Sequence, residues 1–397
     1  MPKYIMNEGA VVPNSVYSGM NTVLNKKLGT SQVYKPQEWA DLVKDLVPLP
    51  EKTASGSIAH FTDGADTVPL KSSKFYITPT QASGTPTPSN PLPISGHTGL
   101  TVTRTGANVW DNETLNGYYD RNNSGAFVSN NSYLCSKNMI AVKPSTSYFW
   151  AIDYVATFSG RVLYYDENGD YLSTSESNVP KHSFTTPSGC YFVHWYFFIP
   201  TGYTFNNDVS INYPDTITTV TPYTATTYPV SWSEHGTVYG GYFKDGELWK
   251  TNEVKTFTGT DEVWFRTTTE GKYTYGTLLP NDCDTSILST RREIICNIGK
   301  YISIGSDNWG CWFLCTDSTH PYFYYIPDPT LNIEDAATFR TWLGSNNLTV
   351  AYPLATPVKV ADLEDVEITS LLGVNNIWCD TGDCEVEYRA DPALATQ

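Results

Sequence analysis

The sequence predicts a mainly β, multi-domain protein. Aromatic residues make up 14% of the 397 residues, with 28 Tyr, 11 Trp and 16 Phe, while charged residues make up only 17%. Aromatic and β-branched side chains fit a pleated surface, and small polar residues favour turns between short strands. The length allows two or three domains with separate cores. We expect a β-sandwich resembling carbohydrate-binding modules, a second β domain and a small N-terminal helical segment.

The clearest helix pattern of the N-terminal region lies in residues 1–50. Pro36 suits the first turn of a helix, and Glu38 suits the positive end of its dipole. Four apolar side chains then fall on one helical face: Trp39, Leu42, Val43 and Leu46. So small a unit cannot bury this face alone, and it packs either on its own chain or on a larger assembly. We interpret residues 1–50 as an assembly or anchor segment.

A Pro-rich segment, "TPTQASGTPTPSNPLPISGHTG", runs from Thr78 to Gly99 between two strand patterns. Its composition alone is typical of a flexible linker. Successive prolines also make a stiff connection that loses little entropy on folding. Because good strand patterns flank the segment on both sides, we expect it to be ordered.

Residues 107–214 have the pattern of a β-sandwich. Asn168-Gly169 readily takes the positive φ of a tight hairpin, and residues 191–199, "YFVHWYFFI", form a long aromatic strand. We expect this sandwich to be inserted into a second β domain made of residues 51–106 and 215–397. That domain is predicted to contain one short helix, capped by Asn332 and ended by Gly344.

The aromatic strand suggests a ligand-binding face because successive side chains of a strand point to opposite sides. One side is typical of a core: Val193, Trp195, Phe197 and Ile199. The other side carries aromatic rings with polar atoms, which can stack on sugars and hydrogen-bond their hydroxyls. Burial of both sides between sheets is at least an equal alternative. The candidate glycan-binding residues are His194, Tyr196, Tyr154 and Tyr165.

The net charge of −16 and the pI near 4.7 argue against nucleic acid and anionic membranes as partners. Lys26-Lys27 and Arg291-Arg292 are the only adjacent basic pairs, and phosphate binding needs a basic stripe. The longest apolar run, residues 191–199, is too short to cross a bilayer, and the first residues lack a secretory pattern. A neutral ligand or another protein suits this chain better.

No catalytic, metal or cofactor pattern stands out. Glycoside hydrolysis needs two carboxylates about 5–10 Å apart, but Asp166, Glu167 and Asp170 lie in a single turn. The same turn fails as a calcium loop because Tyr171 occupies the glycine position. The eight cysteines lack zinc-site spacing. Cys379 and Cys384 could face each other across a hairpin, but we expect free thiols. We expect no enzymatic activity and no cofactor.

Several segments share a pattern with one group of proteins. Leu371–Asp391 matches the ending "LLGxNNxWxDTGxxxVxYRAD", and "LNKKLGTS", "YKPQEWADL" and "GTVYGG" look similar to further family segments. The Pro-rich segment matches "TPxQxGxGxPSPxNxxPIxG-x-TG" at these positions: Thr78-Pro79, Gln81, Gly84, Pro86, Pro88-Ser89, Asn90, Pro93-Ile94, Gly96 and Thr98-Gly99. The chain thus resembles a family of minor structural (tail or baseplate) proteins of tailed bacteriophages and prophages of Gram-positive hosts. It departs from the family pattern at Cys379, Cys384, Thr87 and Leu92.

The resemblance implies where the protein belongs, in a phage particle, and it implies no chemical activity. We expect a non-enzymatic virion protein of the tail tip or baseplate, assembled in the host cytoplasm, that contributes to attachment to a host-surface glycan. Its expected partners are other tail or baseplate proteins and copies of itself, a trimer by analogy with other phage attachment proteins. One alternative is a structural spacer, decoration or head-fibre protein that binds only virion neighbours. The other is a polysaccharide-degrading, tailspike-like enzyme.

Overall fold

The structure is a computed structural model. It describes residues 4–6, 10–12, 51–63, 68–82, 84–153, 158–200, 202–260, 262–269, 272–284, 295–299, 310–315, 321–327, 331, 333–371 and 373–389. The predicted helix from Pro36 to Leu46 lies outside the described residues, and so do the apolar side chains of its one face, Trp39, Leu42, Val43 and Leu46. The candidate site residue Tyr154 also lies outside them. The described part is mainly β with one short α-helix, which confirms the predicted fold class.

The strands that precede the sandwich are short, and two of them, β1 and β2, pair with each other near the N-terminus. In chain order they are β1 (Tyr4–Met6), β2 (Ala10–Val12), β3 (Glu51–Gly56), β4 (Ala59–Asp63), β5 (Val68–Pro69), β6 (Ser72–Ile77), β7 (Thr80–Gln81), β8 (Ile94–Ser95) and β9 (Gly99–Thr105).

The sandwich consists of two antiparallel sheets with a core rich in tryptophan between them. Its strands are β10 (Thr114–Asp120), β11 (Ala126–Ser136), β12 (Ile140–Ala141), β13 (Ser147–Ile152), β14 (Gly160–Tyr165), β15 (Tyr171–Ser177), β16 (Lys181–Thr185), β17 (Phe192–Phe198) and β18 (Val209–Asn212). The larger sheet has the order β10-β11-β17-β14-β15, with β12 beside β17, and the smaller has the order β16-β13-β18. Trp110, Trp150 and Trp195 are buried in the core between them.

The remaining elements follow the sandwich. They are β19 (Ala225–Ser231), β20 (Gly241–Lys244), β21 (Glu247–Phe257), β22 (Phe265–Thr269), β23 (Lys272–Leu278), β24 (Ile295–Cys296), β25 (Gly310–Cys315), β26 (Pro321–Ile326), α1 (Ala336–Asn346), β27 (Leu348–Asp362), β28 (Thr369–Ser370), β29 (Gly373–Cys379) and β30 (Cys384–Arg389).

Strands on the two sides of the sandwich share sheets. β9 pairs with β19 and β29, and β6 pairs with β20 and β30. These pairings bring residues 72–105 against residues 225–389, although residues 107–214 separate them in the chain. We use the name body for the β structure formed by residues 51–106 and 215–389.

The described residues of the body form two hydrophobic cores. One lies between the sheet of β19-β9-β29-β4 and the seven-stranded sheet of β24-β27-β21-β20-β6-β30-β3, with Phe75 and Phe243 fully buried in it. The other lies between α1 and the four-stranded sheet of β22-β23-β26-β25. Phe339 of α1 stacks there on Tyr275 of β23 with ring centroids 4.2 Å apart. The strands β21 and β27 extend from one core to the other.

The bounds of α1 correct the sequence prediction. Asp335, and not Asn332, is its N-cap, because the Asp335 carboxylate accepts a hydrogen bond of 2.8 Å from the backbone N–H of Thr338. The helix also continues through Gly344 and ends where Asn347 takes a left-handed conformation. A helix interior tolerates one glycine at modest cost, so Gly344 alone did not end this helix.

The described part of the Pro-rich segment is ordered. β7 pairs with β8, and between them Thr87 and Asn90 exchange two backbone hydrogen bonds of 3.0 Å around a tight turn. The amide of Gln81 donates hydrogen bonds to Leu92 and to Cys296 of β24. The segment is thus fixed to the body through its backbone and side chains.

Cys379 and Cys384 are buried free thiols. The thiol of Cys384 donates to the carbonyl of Ile377, and burial raises its pKa to about 12. Burial likewise raises the pKa of Cys379 to about 11. In this structure the two thiols act as small apolar side chains of the body core.

Candidate functional site

The strand β17 has two distinct faces. Val193, Trp195 and Phe197 point into the sandwich core and are fully buried. His194 and Tyr196 point to the opposite side, the outer face of the six-stranded sheet. This division follows the alternation expected of a strand. The candidate residues therefore lie on the face that turns away from the second sheet.

On the outer face, paired residues of neighbouring strands form rows that run across the sheet. Tyr196 pairs with Cys135 on one side and Arg161 on the other, and Arg161 pairs with Glu176 of β15. The next row contains His194 and Leu163, and Tyr165 pairs with Phe192 in a further row. The sheet thus brings His194, Tyr196 and Tyr165 together, as the candidate site requires.

A hairpin of the sandwich itself covers much of this outer face. The pairing of β10 with β11 shifts register between Asn116 and Gly117, and the part beyond the shift lies over the sheet. The ring of Tyr119 stacks on His194 with centroids 3.8 Å apart, and its hydroxyl donates to the carbonyl of Ser136. The Tyr165 hydroxyl donates to the carbonyl of Gly125 in the same hairpin. We refer to residues 117–129 as the cover hairpin.

The cover hairpin leaves the candidate residues little contact with solvent. The exposed fractions of His194, Tyr196 and Tyr165 are 5%, 4% and 3%. In this conformation a sugar cannot reach their ring faces. The burial comes from the chain's own hairpin on the outer face, and not from packing between the two sheets of the sandwich.

Burial also determines the charge state of His194. The removal of its ring from water lowers the pKa of His194 to about 3, although a contact with Ser136 opposes the shift. Its Nδ1 and the hydroxyl of Ser136 share a hydrogen bond of 2.9 Å. The side chain is therefore neutral near pH 7, and it acts as a packed ring with one polar anchor.

Accessible aromatic and charged groups remain at the edge of the cover hairpin and next to it. Tyr118 and Tyr133 are half-buried, with ring centroids 5.1 Å apart, and both lie within 6 Å of the Tyr196 ring. Phe198 is exposed next to Tyr133. We define the rim as Tyr118, Tyr133, Phe198, Arg161 and Glu176.

The charged members of the rim hold one another in place. The guanidinium of Arg161 donates a hydrogen bond of 2.9 Å from Nε to Glu176 and another of 2.7 Å from Nη1 to the Tyr196 hydroxyl. Arg121 of the cover hairpin also contacts the Glu176 carboxylate. The hydrogen bond from Arg161 is the main reason why the pKa of Glu176 lies below its usual range. Tyr196 thus serves as an anchor for Arg161.

This arrangement suits binding more than catalysis. Rings with one accessible side can stack on the apolar face of a sugar, and fixed guanidinium and carboxylate groups can hydrogen-bond hydroxyls. The sequence prediction did not include Tyr118, Tyr133, Arg161 or Glu176. Arg161 and Glu176 could have been found from the pairing of the predicted hairpin strands, because both face the same side as Tyr196.

The comparisons with known proteins do not assign this chain to a family. No family model matches it, and no curated protein matches it. Structures of infectious bursal disease virus show faint similarity. The VP2 subviral particle is 6% identical, with a TM-score of 0.15, over 89% of this chain and 84% of that chain. The Gt strain structure is 8% identical, with a TM-score of 0.13, over 88% and 84%. At such TM-scores the similarity carries no argument about fold or function.

The described residues also bear on metal sites and membrane spans. Within the ranges that the structure describes, no three His, Cys, Asp or Glu side chains lie close enough to hold a metal ion. Among those same residues, no helix is both long and apolar enough to span a bilayer.

Proposed function

We propose that this chain is a virion protein of the tail tip or baseplate of a tailed bacteriophage. It binds a neutral host-surface glycan through the outer face of the sandwich and does not cleave it. The phage setting is supported by the sequence segments from Thr78 to Gly99 and from Leu371 to Asp391. The binding role is supported by the rim.

The observation that carries the binding role is the position of Tyr133 and Phe198 beside the fixed Arg161–Glu176 pair. The two ring centroids are 5.7 Å apart and the ring planes are nearly perpendicular, so the rings present apolar surface in two orientations. The paired charges next to them can donate and accept hydrogen bonds without introducing an unpaired charge. The net charge of −16 favours a neutral sugar over an anionic wall polymer.

Each stacking contact between an aromatic ring and a sugar is weak. Stacking on one aromatic face contributes on the order of 1 kcal/mol, which corresponds to roughly fivefold in affinity. Useful attachment therefore depends on several copies presented together, which gain avidity without new contacts. A virion that carries several copies of the chain meets this requirement.

The test is a glycan array of neutral bacterial surface oligosaccharides probed with the full chain. Tyr133→Ala and Phe198→Ala should each weaken binding severalfold, and the double variant should abolish it. Val179→Ala is the matched control because Val179 is an exposed apolar residue of the sandwich outside the rim. Binding that is lost equally in all variants, or an array without any signal, would contradict the proposal.

The bound oligosaccharides are then incubated with the chain and analysed for shorter products. Unchanged oligosaccharides are the expected result. Shortened products would replace the binding role by that of a tailspike-like enzyme.

A structural spacer that binds only virion neighbours is a second candidate. The burial of His194, Tyr165 and Tyr196 favours it, because these side chains stabilise the sandwich whether or not a ligand is present. Phage particles that carry the Tyr133→Ala and Phe198→Ala substitutions distinguish the two roles. Unchanged adsorption to host cells would favour the spacer, whereas lost adsorption by particles of normal composition would favour attachment.

A further inference from the structure

Two buried cysteines of the body lie in contact with each other. Cys296 is in β24, at one edge of the seven-stranded sheet, and Cys311 is in β25, at one edge of the four-stranded sheet. The thiol of Cys311 donates a hydrogen bond to the carbonyl of Gly299, 3.6 Å away, and the thiol of Cys296 lies in hydrogen-bond contact with the Cys311 sulfur. Both side chains belong to the core that packs against α1, where they are almost fully buried. We use the name thiol pair for Cys296 and Cys311.

The backbone on both sides of the thiol pair brings the two edge strands close together. The Tyr325 hydroxyl of β26 donates a hydrogen bond of 3.3 Å to the carbonyl of Ile298, which follows β24. A Cβ added at Gly299 would lie 2.9 Å from the Tyr325 ring and 3.4 Å from the Cα of Gly310, the first residue of β25. Glycine at these two positions lets the segment after β24 lie directly against β25. A disulfide depends on such an approach, because its geometry tolerates only a short separation of the two backbones.

The cysteines of the other body core differ from the thiol pair. The thiol of Cys384 donates to the carbonyl of Ile377, and the thiol of Cys379 shares a hydrogen bond of 3.1 Å with the hydroxyl of Thr381. Their hydrogen bonds thus go to oxygen atoms, whereas in the thiol pair one sulfur faces the other. Cys379 and Cys384 therefore provide a comparison within the same chain.

The closed core protects the thiol pair from rapid oxidation. Contact with Cys296 and burial raise the pKa of Cys311 well above the usual range for a thiol. Because the thiolate is the nucleophile, exchange with an external disulfide is slow while the core is closed. β24 has only two residues and lies at a sheet edge, so its separation from β27 exposes the pair without unfolding of the whole body.

We propose that Cys296 and Cys311 form a disulfide when the protein leaves reducing conditions. The Sγ–Sγ bond forms and the two S–H bonds break, while an external small-molecule disulfide takes up two electrons and two protons and is reduced to two thiols. The new bond joins the edges of the two sheets and closes a stretch of about 15 residues, which restricts the unfolded chain. A virion protein meets an oxidising exterior after lysis of its host. This setting rests on the proposed function, whereas the chemistry of the pair does not.

The test is incubation of the full chain with oxidised glutathione at about pH 8.5, where many ordinary thiols are ionised. The intact mass without reductant should fall by two hydrogen atoms, and peptide mapping should find Cys296 joined to Cys311. The midpoint of thermal unfolding should rise by several degrees and return when a reductant is added. Cys296→Ala should abolish the mass loss and the rise. Cys379→Ala is the matched control, because it removes another buried thiol and should leave both results unchanged.

A second incubation, at a urea concentration just below the unfolding transition, ensures that access of glutathione does not limit the result. A chain without an internal disulfide in both incubations would overturn the proposal. A bond from Cys311 to Cys283 or Cys315 would overturn it as well, since the observed contact would then not direct the pairing. The same holds for a bond between Cys379 and Cys384 that forms as readily as the predicted one.

Discussion

The imidazole of His60 stacks on the ring of Tyr213, with centroids 3.7 Å apart and ring planes within 14° of each other. His60 belongs to β4 of the body, whereas Tyr213 directly follows the last strand of the sandwich. The His60 Nε2 also shares a hydrogen bond of 2.8 Å with the hydroxyl of Tyr148 in the sandwich, and its Nδ1 shares one of 2.7 Å with the amide oxygen of Asn376. One side chain therefore joins the two parts of the protein.

The hydrogen bonds around His60 fit its neutral form. The amide nitrogen of Asn376 donates to the carbonyl of Gly106, so its oxygen accepts the proton of His60 Nδ1. The backbone N–H of Lys143 donates to the Tyr148 hydroxyl, which in turn donates to Nε2 of His60. Burial lowers the pKa of His60 to about 4, and the Lys143 charge adds to this effect.

The first prediction concerns this junction. His60→Ala removes two hydrogen bonds and one ring stack, so we expect the free energy of unfolding to fall by about 2–4 kcal/mol. Denaturant unfolding of the full chain measures this change. His235→Ala is the control, because His235 is exposed in a short 3₁₀ turn. Equal effects of the two substitutions would show that the contacts of His60 contribute nothing to stability.

The second prediction is a loss of stability in mild acid. The folded-state pKa values of His60 and His194, about 4 and about 3, lie below the ordinary value of 6.5. The unfolded chain therefore binds protons first as the pH falls. The contribution of each histidine is fully present above pH 6.5 and decreases below it, by up to about 1.4 kcal/mol per pH unit.

Unfolding measured between pH 6.5 and 5 reports on the buried histidines, because most carboxyl groups titrate at lower pH. Burial also lowers the pKa of His182, so His182 contributes to the same slope. His194→Gln removes one titrating group and keeps a hydrogen-bonding side chain, so the slope of stability against pH should become shallower. An unaltered slope in His194→Gln would contradict the burial of a neutral ring at this position.

The sequence predicted the fold class and the division of β17 into two faces, because both follow from residue composition and the period of two along a strand. It left burial of the outer face as an alternative at least equal to exposure, and it did not predict the hairpin that causes this burial. That burial depends on a register shift between Asn116 and Gly117, which turns the end of one hairpin onto a sheet formed by residues distant in the chain. No local pattern in residues 114–136 encodes the stack of Tyr119 on His194.

The bounds of α1 show the same limit of prediction from sequence, here at the ends of a single helix. Asn332, Glu334 and Asp335 all suit the first residues of a helix, and only the observed hydrogen bond to Thr338 identifies Asp335 as the cap. The rim was missed for a related reason. Tyr133 becomes a neighbour of Tyr196 through the pairing of β11 with β17, and Tyr118 does so only through the cover hairpin.

The third prediction concerns the closure of the Pro-rich segment. A Cβ at Gly96 would lie 2.6 Å from the carbonyl oxygen of Val238, which accepts the backbone hydrogen bond of His97. Gly96→Ala should therefore force the two paired segments apart, lower the free energy of unfolding by about 1–3 kcal/mol and speed proteolysis within residues 78–99.

Gly344→Ala is the control for this prediction. Gly344 lies inside α1, and a Cβ added there would have its nearest neighbouring atom 3.7 Å away. Alanine favours a helix over glycine by up to about 1 kcal/mol, so this substitution should stabilise the chain. The two glycine substitutions should thus have opposite signs. A neutral Gly96→Ala variant would show that the segment adapts freely.

The last prediction concerns the cover hairpin. Tyr119→Ala removes the ring that stacks on His194 and lets water reach the imidazole. Since desolvation is the main cause of the low pKa of His194, that pKa should rise from about 3 towards 6.5. The chain has six histidines, so selective isotope labelling gives six imidazole signals whose titration can be followed by nuclear magnetic resonance. Tyr133→Ala is the control, because Tyr133 contacts Tyr196 and Phe198 on the rim. A His194 signal that still titrates at the wild-type pH in Tyr119→Ala would mean that the cover hairpin does not cause the burial. A shifted signal together with stronger glycan binding would mean that the hairpin blocks a face able to take a sugar.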